Sequence, residues 1–156
     1  MKFSIIIPVY EANGLGLNLL QTCLNSIIKQ TFKDYEIIIP DHSTNTIIEQ
    51  GLLDYTSKLN FLHFFNARGR GNSSINMNEG IKKASGDIIK IMHFDDFFCN
   101  KNTLQYIHSK FNSTKTKWGL VGFNHLKYGV VCETIIPSRT LWGNPSTSFF
   151  INNKTD

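Results

Sequence analysis

The chain has 156 residues, of which 41% are hydrophobic and 18% are charged, and its 16 basic and 12 acidic residues give a net charge of +4. This length predicts one globular domain, and the composition excludes a disordered tail, a collagen-like repeat and a disulfide-dense scaffold. The charge excess is small and scattered, so it permits an anionic ligand but does not predict a nucleic-acid partner.

The first half of the chain alternates between buried strands and helices. Phe3–Val9 is a continuous apolar run, which is typical of a strand covered on both faces. Apolar residues at helical spacing from Leu19 to Ile28 predict a helix that ends near Gln30. Tyr35–Ile39 is predicted to be a second buried strand that ends at Pro40, because proline cannot donate to a strand ladder. A loop at 41–44, a short helix at 46–57 and a third strand at 59–65 follow.

The second half continues this alternation. A glycine-bearing loop at 67–72 precedes a helix that Ser73 or Ser74 caps, and Gly86 lies where a helix stop is expected. The later predicted elements are a strand at 87–93, a helix around 104–111 and strands at 118–123 and 128–136, with 143–156 left unassigned. Alternation of this kind predicts an α/β domain with a mostly parallel sheet and helices on both faces.

Three polar segments each follow a predicted strand: Tyr10–Glu11, Asp41–Thr44 and Asp95–Asp96. The carboxyl ends of parallel strands lie at one edge of the sheet, and ligands of such sheets bind beyond that edge. We therefore expect the three segments to converge on one rim, although they are far apart in the sequence.

The adjacent carboxylates of Asp95 and Asp96 are flanked by phenylalanines, and charge in apolar surroundings is costly unless it is paired or binds a cation. Mg²⁺ and Mn²⁺ prefer such oxygen ligands, and the metal would neutralise a diphosphate. The alternative is a turn whose acids cap the helix after Asn100. Asp41 either accepts hydrogen bonds from a nucleobase and a ribose or forms an Asx-turn. Tyr10 either lies against the nucleobase or completes the core.

Two other glycine-bearing segments do not predict a function. Gly14-Leu15-Gly16 is a broken dinucleotide fingerprint, because Leu19 stands where a third glycine is needed. The Arg68–Gly71 segment has no interleaved aromatic residues, which argues against RNA binding. A flexible loop whose arginine reaches a diphosphate is the more economical interpretation.

The chain resembles the family 2 glycosyltransferases, which have the GT-A fold, a Rossmann-like α/β domain. The resemblance extends over nearly the whole chain in the order of the family's motifs. It is carried by SIIIPVYE (Ser4–Glu11), CLNSIIKQTFKDYEIIIPDHST (Cys23–Thr44), GNSSINMNEGIKKASGDIIKIMHFDDFF (Gly71–Phe98) and, more weakly, GNPSTSFF (Gly143–Phe150).

The resemblance implies a nucleotide-sugar donor, commonly a UDP-sugar, and a divalent metal ion, Mn²⁺ or Mg²⁺. The segment that meets the nucleobase and ribose is matched by Pro8, Val9, Tyr10 and Glu11, and the acid that reads the base by Asp41. The Asp-x-Asp region, which holds the ribose and the metal-bound diphosphate, is matched by Asp95 and Asp96. The donor-side loop and helix start are matched by Arg70, Asn72 and Asn78.

The chain departs from the family pattern in its metal region and in its length. His93 replaces the first acid of the Asp-x-Asp-Asp pattern, which alters the expected metal shell. Members of the family usually continue further and there supply an acceptor-binding half and an acidic general base. We expect one domain, 1–156, with a nucleotide-sugar-binding half at 1–98 and a shortened acceptor-side half at 99–156. Glu133 and Asp156 are the late acids, and nothing in the sequence favours either as the base.

These observations predict a metal-dependent glycosyltransferase with an unknown glycan, lipid or protein acceptor. The alternative is a nucleotide-sugar-binding module or an oligomer-forming scaffold without transfer activity. We expect a homo-oligomer, because Phe149–Ile151 suit an apolar contact. Three cysteines without CxxC spacing and the lack of an evident signal peptide or membrane span predict the cytoplasm of a bacterium or of a virus-infected host cell.

Overall fold

The structure of the chain is a computed structural model that describes residues 1–11, 13–114, 116–127, 129–135 and 148–152, without the side chains of 132–135 and 148. The described strands are β1 (Phe3–Ile6), β2 (Tyr35–Asp41), β3 (Phe61–Phe65), β4 (Ile88–Ile91), β5 (Trp118–Leu120), β6 (Phe123–Lys127), β7 (Val130–Ile135) and β8 (Ser148–Ile151). The described helices are α1 (Gly16–Ile28), α2 (Ile47–Leu52), α3 (Ser73–Lys82) and α4 (Thr103–Ser113), and a 3₁₀ turn at Leu53–Tyr55 extends α2.

The larger sheet has the strand order β3-β2-β1-β4-β8-β5. Strands β3, β2, β1 and β4 are parallel to one another, whereas β8 is antiparallel to both β4 and β5. Strands β6 and β7 form a separate antiparallel pair. The mixed α/β architecture with a mostly parallel central sheet confirms the predicted fold class.

Both faces of the sheet are buried, which explains why the strands are nearly continuous apolar runs. On one face, isoleucines of β1 and β2 pack with residues of α1, α2 and α4. On the other face, Ile6, Ile38 and Ile89 pack with Met77 and Ile81 of α3. Each fully buried isoleucine contributes roughly 1.5–3 kcal/mol through the apolar surface that it removes from water.

Strand β2 continues through Pro40 to Asp41, so the prediction that Pro40 ends this strand is wrong. The Pro40 carbonyl accepts from the Val9 amide at 3.0 Å and from the Asn76 side-chain amide at 2.8 Å. The residue therefore loses only the hydrogen bond that its missing N–H would have donated, and this loss does not end the strand.

The carboxyl-terminal part of the chain differs most from the prediction. Strand β6 is not predicted because its side chains are mostly exposed and lack apolar alternation. Strand β8 lies between β4 and β5 within the sheet, in the segment left unassigned from the sequence. Phe149 in β8 is buried and packs edge-on against Phe111, so this residue fills the core and does not offer a contact to a second copy. Self-association stays a prediction and loses this support.

The two described cysteines differ in their exposure to solvent. Cys23 is buried and Cys99 is exposed, and both are free thiols. Burial and the negative charge of Asp96 raise the pKa of Cys23, which keeps this thiol protonated and inert.

Within the described parts of the chain, none of the helices combines the length and the apolarity needed to cross a membrane.

The Glu36 carboxylate and its hydrogen-bond donors join the amino-terminal ends of neighbouring sheet strands. Glu36 at the start of β2 accepts hydrogen bonds from the Ser4 hydroxyl, from the Ser85 amide and hydroxyl, and from Lys2 Nζ. A Cβ at Gly86 would lie 2.7 Å from the Phe3 carbonyl carbon, so this glycine allows close approach of two backbones. Helix α3 already ends at Lys82, and the prediction that Gly86 stops it is therefore wrong.

We expect acid to destabilise the fold through Glu36. Burial by itself would raise the pKa of this carboxyl, but hydrogen bonds from Ser4, Ser85 and Lys2 outweigh it and lower the pKa from 4.5 to about 2. A lowered pKa gives stability that is present above the unfolded value and lost as the pH falls towards the folded value. Between about pH 6 and about pH 3, the free energy of unfolding should fall by about 2 kcal/mol more in the wild type than in Glu36→Gln. Urea unfolding of both proteins at the two pH values measures this difference, and parallel losses would contradict the role of Glu36.

Candidate active site

The carboxyl-terminal ends of β1 and β2 are joined directly. Val9 forms an isolated parallel bridge with Asp41, and the His42 amide donates to the Val9 carbonyl at 3.0 Å. The Glu11 amide donates to Ser43 Oγ at 2.8 Å, which ties the segment after β1 to the loop after β2. The structure therefore brings together two of the three polar segments, and parallel β4 ends at the same edge beside β1.

The segment predicted to meet a nucleobase has an exposed part and a buried part. Tyr10 is 46% exposed, whereas Pro8 and Val9 are buried. The Glu11 carboxylate is buried and accepts from the Leu17 amide at 2.9 Å, so it caps the start of α1. A Cβ at Gly16 would lie 2.7 Å from the Tyr10 carbonyl oxygen, and this contact explains why α1 begins at a glycine. Donor binding by this segment stays a prediction.

Asp41 is completely buried at the end of β2. Its Oδ1 accepts from the Ser43 amide at 2.7 Å, which is the Asx-turn considered from the sequence. Its Oδ2 accepts from Nε2 of His63 on β3 at 3.0 Å, a partner that the sequence did not indicate. Both carboxylate oxygens are therefore held in place by the protein, and recognition of a nucleobase by Asp41 stays a prediction.

Buried amides behind the rim join three strand ends to α3. Asn76 Nδ2 donates to the Pro40 carbonyl, and its Oδ1 accepts from Asn66 at 3.0 Å. His42 Nε2 lies 3.2 Å from Asn66 Nδ2 and 3.1 Å from the Arg68 carbonyl oxygen. Buried polar groups that satisfy one another in this way fix a single arrangement. An asparagine on the inward face of an amphipathic helix was the sequence signal for this network.

The donor-side loop contributes one side chain to the rim. Arg70 lies with its guanidinium 3.4 Å from the Ser43 carbonyl oxygen. Asn72 caps α3 by accepting from the Ile75 amide at 3.1 Å, so the cap is not Ser73 or Ser74. Asn78 is exposed and lines a second depression with Arg68, apart from the cavity next to Asp95 and Asp96. Donor binding by these three residues stays a prediction.

Asp95 and Asp96 line a cavity of about 500 Å³ between the end of β4 and the β6–β7 hairpin. Asp95 is exposed and Asp96 is half-buried. Neither caps the next helix: α4 begins at Thr103, and its Leu104 amide donates to Gln30 Oε1 at 3.1 Å. The cavity wall is largely apolar and includes Met92, Phe97, Phe98, Val121, Phe123 and Val131.

The acid pair fits a divalent metal only with help from other ligands. Among the described residues, no group of three or more histidine, cysteine or acidic side chains is placed to hold a metal ion. Mg²⁺ in proteins is commonly bound by one or two carboxylates together with substrate phosphates and water. The two carboxylates in an open cavity match that pattern. The acids considered as a general base are not described: Asp156 lies outside the described residues, as does the side chain of Glu133.

Lys90 also lines this cavity, and it was not among the predicted site residues. Its side chain is only 1% exposed, although lysine is rarely buried. The sequence signal was a single charge within the apolar strand Ile88–Ile91. Burial lowers the pKa of Lys90 to about 7, against the opposing effects of the Asp96 carboxylate and Cys23.

Comparisons with known proteins agree with this geometry. Residues 4–122 match the family described as Glycosyl transferase family 2. A poly(ribitol-phosphate) beta-glucosyltransferase of Bacillus spizizenii is 34% identical over 132 residues, which are 80% of this chain and 20% of that protein. The chain thus spans only a fifth of the length of this relative.

Solved structures show the same fold. The crystal structure of Staphylococcus aureus TarS 1-349 in complex with UDP-GlcNAc superposes with a TM-score of 0.77 at 22% identity. The match covers 97% of this chain and 46% of the TarS chain. The mannosyltransferase PcManGT from Pyrobaculum calidifontis in complex with GDP-Man and Mn²⁺ has a TM-score of 0.64 at 18% identity, and covers 75% of this chain and 34% of that one.

We predict that His63 and Asp41 stabilise the fold as a coupled pair. Replacing His63 by leucine removes the donor to Asp41 Oδ2 and leaves a buried carboxylate oxygen without it, which should cost about 1–3 kcal/mol. In an Asp41→Asn background the same replacement should cost clearly less, because the buried charge is gone. Denaturant unfolding of the four proteins gives the coupling energy. Equal costs in both backgrounds would show that the pair is not coupled.

Proposed function

The chain belongs to glycosyl transferase family 2, and from this premise we propose that it binds a nucleotide-sugar donor and transfers the sugar to an acceptor hydroxyl. The observation that carries the proposal is the position of the acid pair. Asp95 and Asp96 line a cavity at the same sheet edge as the joined Tyr10–Glu11 and Asp41–Thr44 segments. A donor that extends along this edge would have its nucleobase near Asp41 and its diphosphate near Asp95.

The proposed reaction is a displacement at the anomeric carbon. The acceptor oxygen forms a bond to this carbon, the bond from the carbon to the diphosphate oxygen breaks, and the nucleoside diphosphate leaves with the electron pair. The acceptor hydroxyl loses its proton to a base as the new bond forms. We propose that Arg70, whose guanidinium lies 3.4 Å from the Ser43 carbonyl oxygen, reaches along the rim to the departing diphosphate and stabilises its charge.

We propose that Asp95 and Asp96 hold a divalent metal ion together with the donor's phosphates. When bound, Mn²⁺ or Mg²⁺ would supply positive charge to the leaving diphosphate. The two carboxylates contribute hard oxygen ligands, and Asp95 is exposed to the open cavity that an incoming ion would enter.

A UDP-sugar is the proposed donor. The fold neighbour TarS was solved with UDP-GlcNAc, which supports a uridine nucleotide, whereas PcManGT was solved with GDP-Man. The Bacillus relative is named for a poly(ribitol-phosphate) acceptor, which makes a polyol phosphate the first acceptor to test.

The second candidate is donor binding without transfer. Within the described part of the cavity lining, Asp95 and Asp96 are the only acidic side chains, and both are assigned to the metal and the diphosphate. A base would then have to come from elsewhere. This candidate predicts metal-dependent UDP binding without any glycosylated product, and glycosylation of a defined acceptor would exclude it.

We expect UDP to bind in a metal-dependent manner. Calorimetry should detect UDP binding with Mn²⁺ present and a loss of at least tenfold in affinity when Mn²⁺ is removed or when Asp95 is replaced by asparagine. Comparison with GDP tests the choice of nucleotide. If neither nucleotide binds with or without Mn²⁺, both the transferase and the binding-module candidates fail, and the scaffold alternative gains support.

We predict different effects for the two arginines of the donor-side loop. Arg70→Met should weaken UDP binding by about ten- to a hundredfold, because a charge-assisted hydrogen bond to phosphate contributes about 1.5–3 kcal/mol. Arg68→Met is the matched control, because Arg68 pairs with Glu79 at 2.9 Å in the second depression. Calorimetry with UDP and Mn²⁺ measures both. Equal losses of UDP affinity for the two variants would contradict a specific contact between Arg70 and the diphosphate.

A further inference from the structure

Lys90 is a buried cation at the base of the cavity that contains the acid pair. It lies on β4, paired with Ile5 of β1 and with Phe149 of β8, in the middle of the sheet. Its side chain is 1% exposed and yet lines the same cavity as Asp95 and Asp96. Lys90 and the acid pair therefore share one cavity, in which the lysine is buried and Asp95 is exposed.

Burying an ammonium group is costly, and the surroundings of Lys90 show what offsets the cost. Lys90 Nζ donates to the Ile91 carbonyl oxygen at 2.6 Å. The Asp96 carboxylate stabilises the charged form of the amine, and Asp96 is itself only half-exposed, so water screens this attraction incompletely. An apolar residue at position 90 would suit the strand better, since its neighbours Ile88 and Met92 are core residues.

We propose that Lys90 is an internal counter-ion of the acid pair, so that the pair binds a divalent cation weakly alone and firmly only when a nucleoside diphosphate adds further oxygen ligands. This inference rests on the proposed function for its ligand, but the effect of Lys90 on the cation is independent of transfer. Two carboxylates carry a charge of −2, and Lys90 in its protonated form reduces the charge that a metal ion meets to −1. The metal and the diphosphate would then enter as a pair.

The test is a titration with Mn²⁺ alone, monitored by electron paramagnetic resonance. Bound Mn²⁺ loses the sharp signal of the free ion in this measurement. Two variants remove the charge: Lys90→Met, and Lys90→Gln, which keeps a donor for the Ile91 carbonyl. Lys110→Met is the matched control, because it removes the same charge from an exposed position on α4. Thermal melting verifies that each variant is folded. Removing one member of a charge pair is least costly where water can solvate the other, and Asp96 is only half-buried.

We expect both Lys90 variants to bind Mn²⁺ about tenfold more tightly than the wild type, and Lys110→Met to bind it unchanged. If Lys90→Met does not fold, Lys90→Gln decides. An unchanged or weaker affinity in a folded Lys90 variant overturns the proposal, as does a lack of Mn²⁺ binding by every protein. Repeating the titration with UDP separates the two hypotheses. If UDP has no effect but the Lys90 variants bind Mn²⁺ more tightly, the proposed function and the coupling to a diphosphate fail, and only the counter-ion role of Lys90 stands.

Discussion

The parallel pairing of β1 with both β2 and β4 is the constraint on which the site depends. Because all three strands run in the same direction, their carboxyl ends lie at one edge of the sheet. The segment after β1 thereby contacts the loop after β2 directly, and Asp95 follows β4, which ends at the same edge. The apolar strands supply the stability of this arrangement, and the polar chemistry begins only where they end.

Strand β2 has a carboxylate at each end, and their surroundings differ according to what they do. Glu36 at the amino-terminal end is fully engaged with serines and a lysine, which pin adjacent strands and the approach to β4. Asp41 at the other end is held by one backbone amide and by His63, beside an open rim. The buried amides of Asn66 and Asn76 support this rim from behind. One end of the strand thus joins the sheet strands to one another, and the other lies at the edge that carries the candidate site.

Much of this could be predicted from the sequence, because local patterns determine it. The apolar runs gave the central parallel strands, and their order gave the rim with Asp41, Asp95 and Asp96. The misses share one physical cause, which is that long-range contacts override local preference. Pro40 stays in its strand because Asn76 and Val9 supply donors to its carbonyl. Strand β8 depends on pairing with strands far away in the sequence, and Lys90 on charges that only the fold brings close.

Strand β8 also determines the order in which the protein can be completed. It lies between β4 and β5, so β5 is connected to the parallel strands only through a segment about 30 residues further along the chain. A nascent chain can pair β1, β2, β3 and β4 as soon as they have been synthesised. The strand ladder that connects β5 to the parallel strands, however, is complete only once β8 has been synthesised. We therefore expect the edge formed by β1, β2 and β4 to fold before the opposite wall of the cavity.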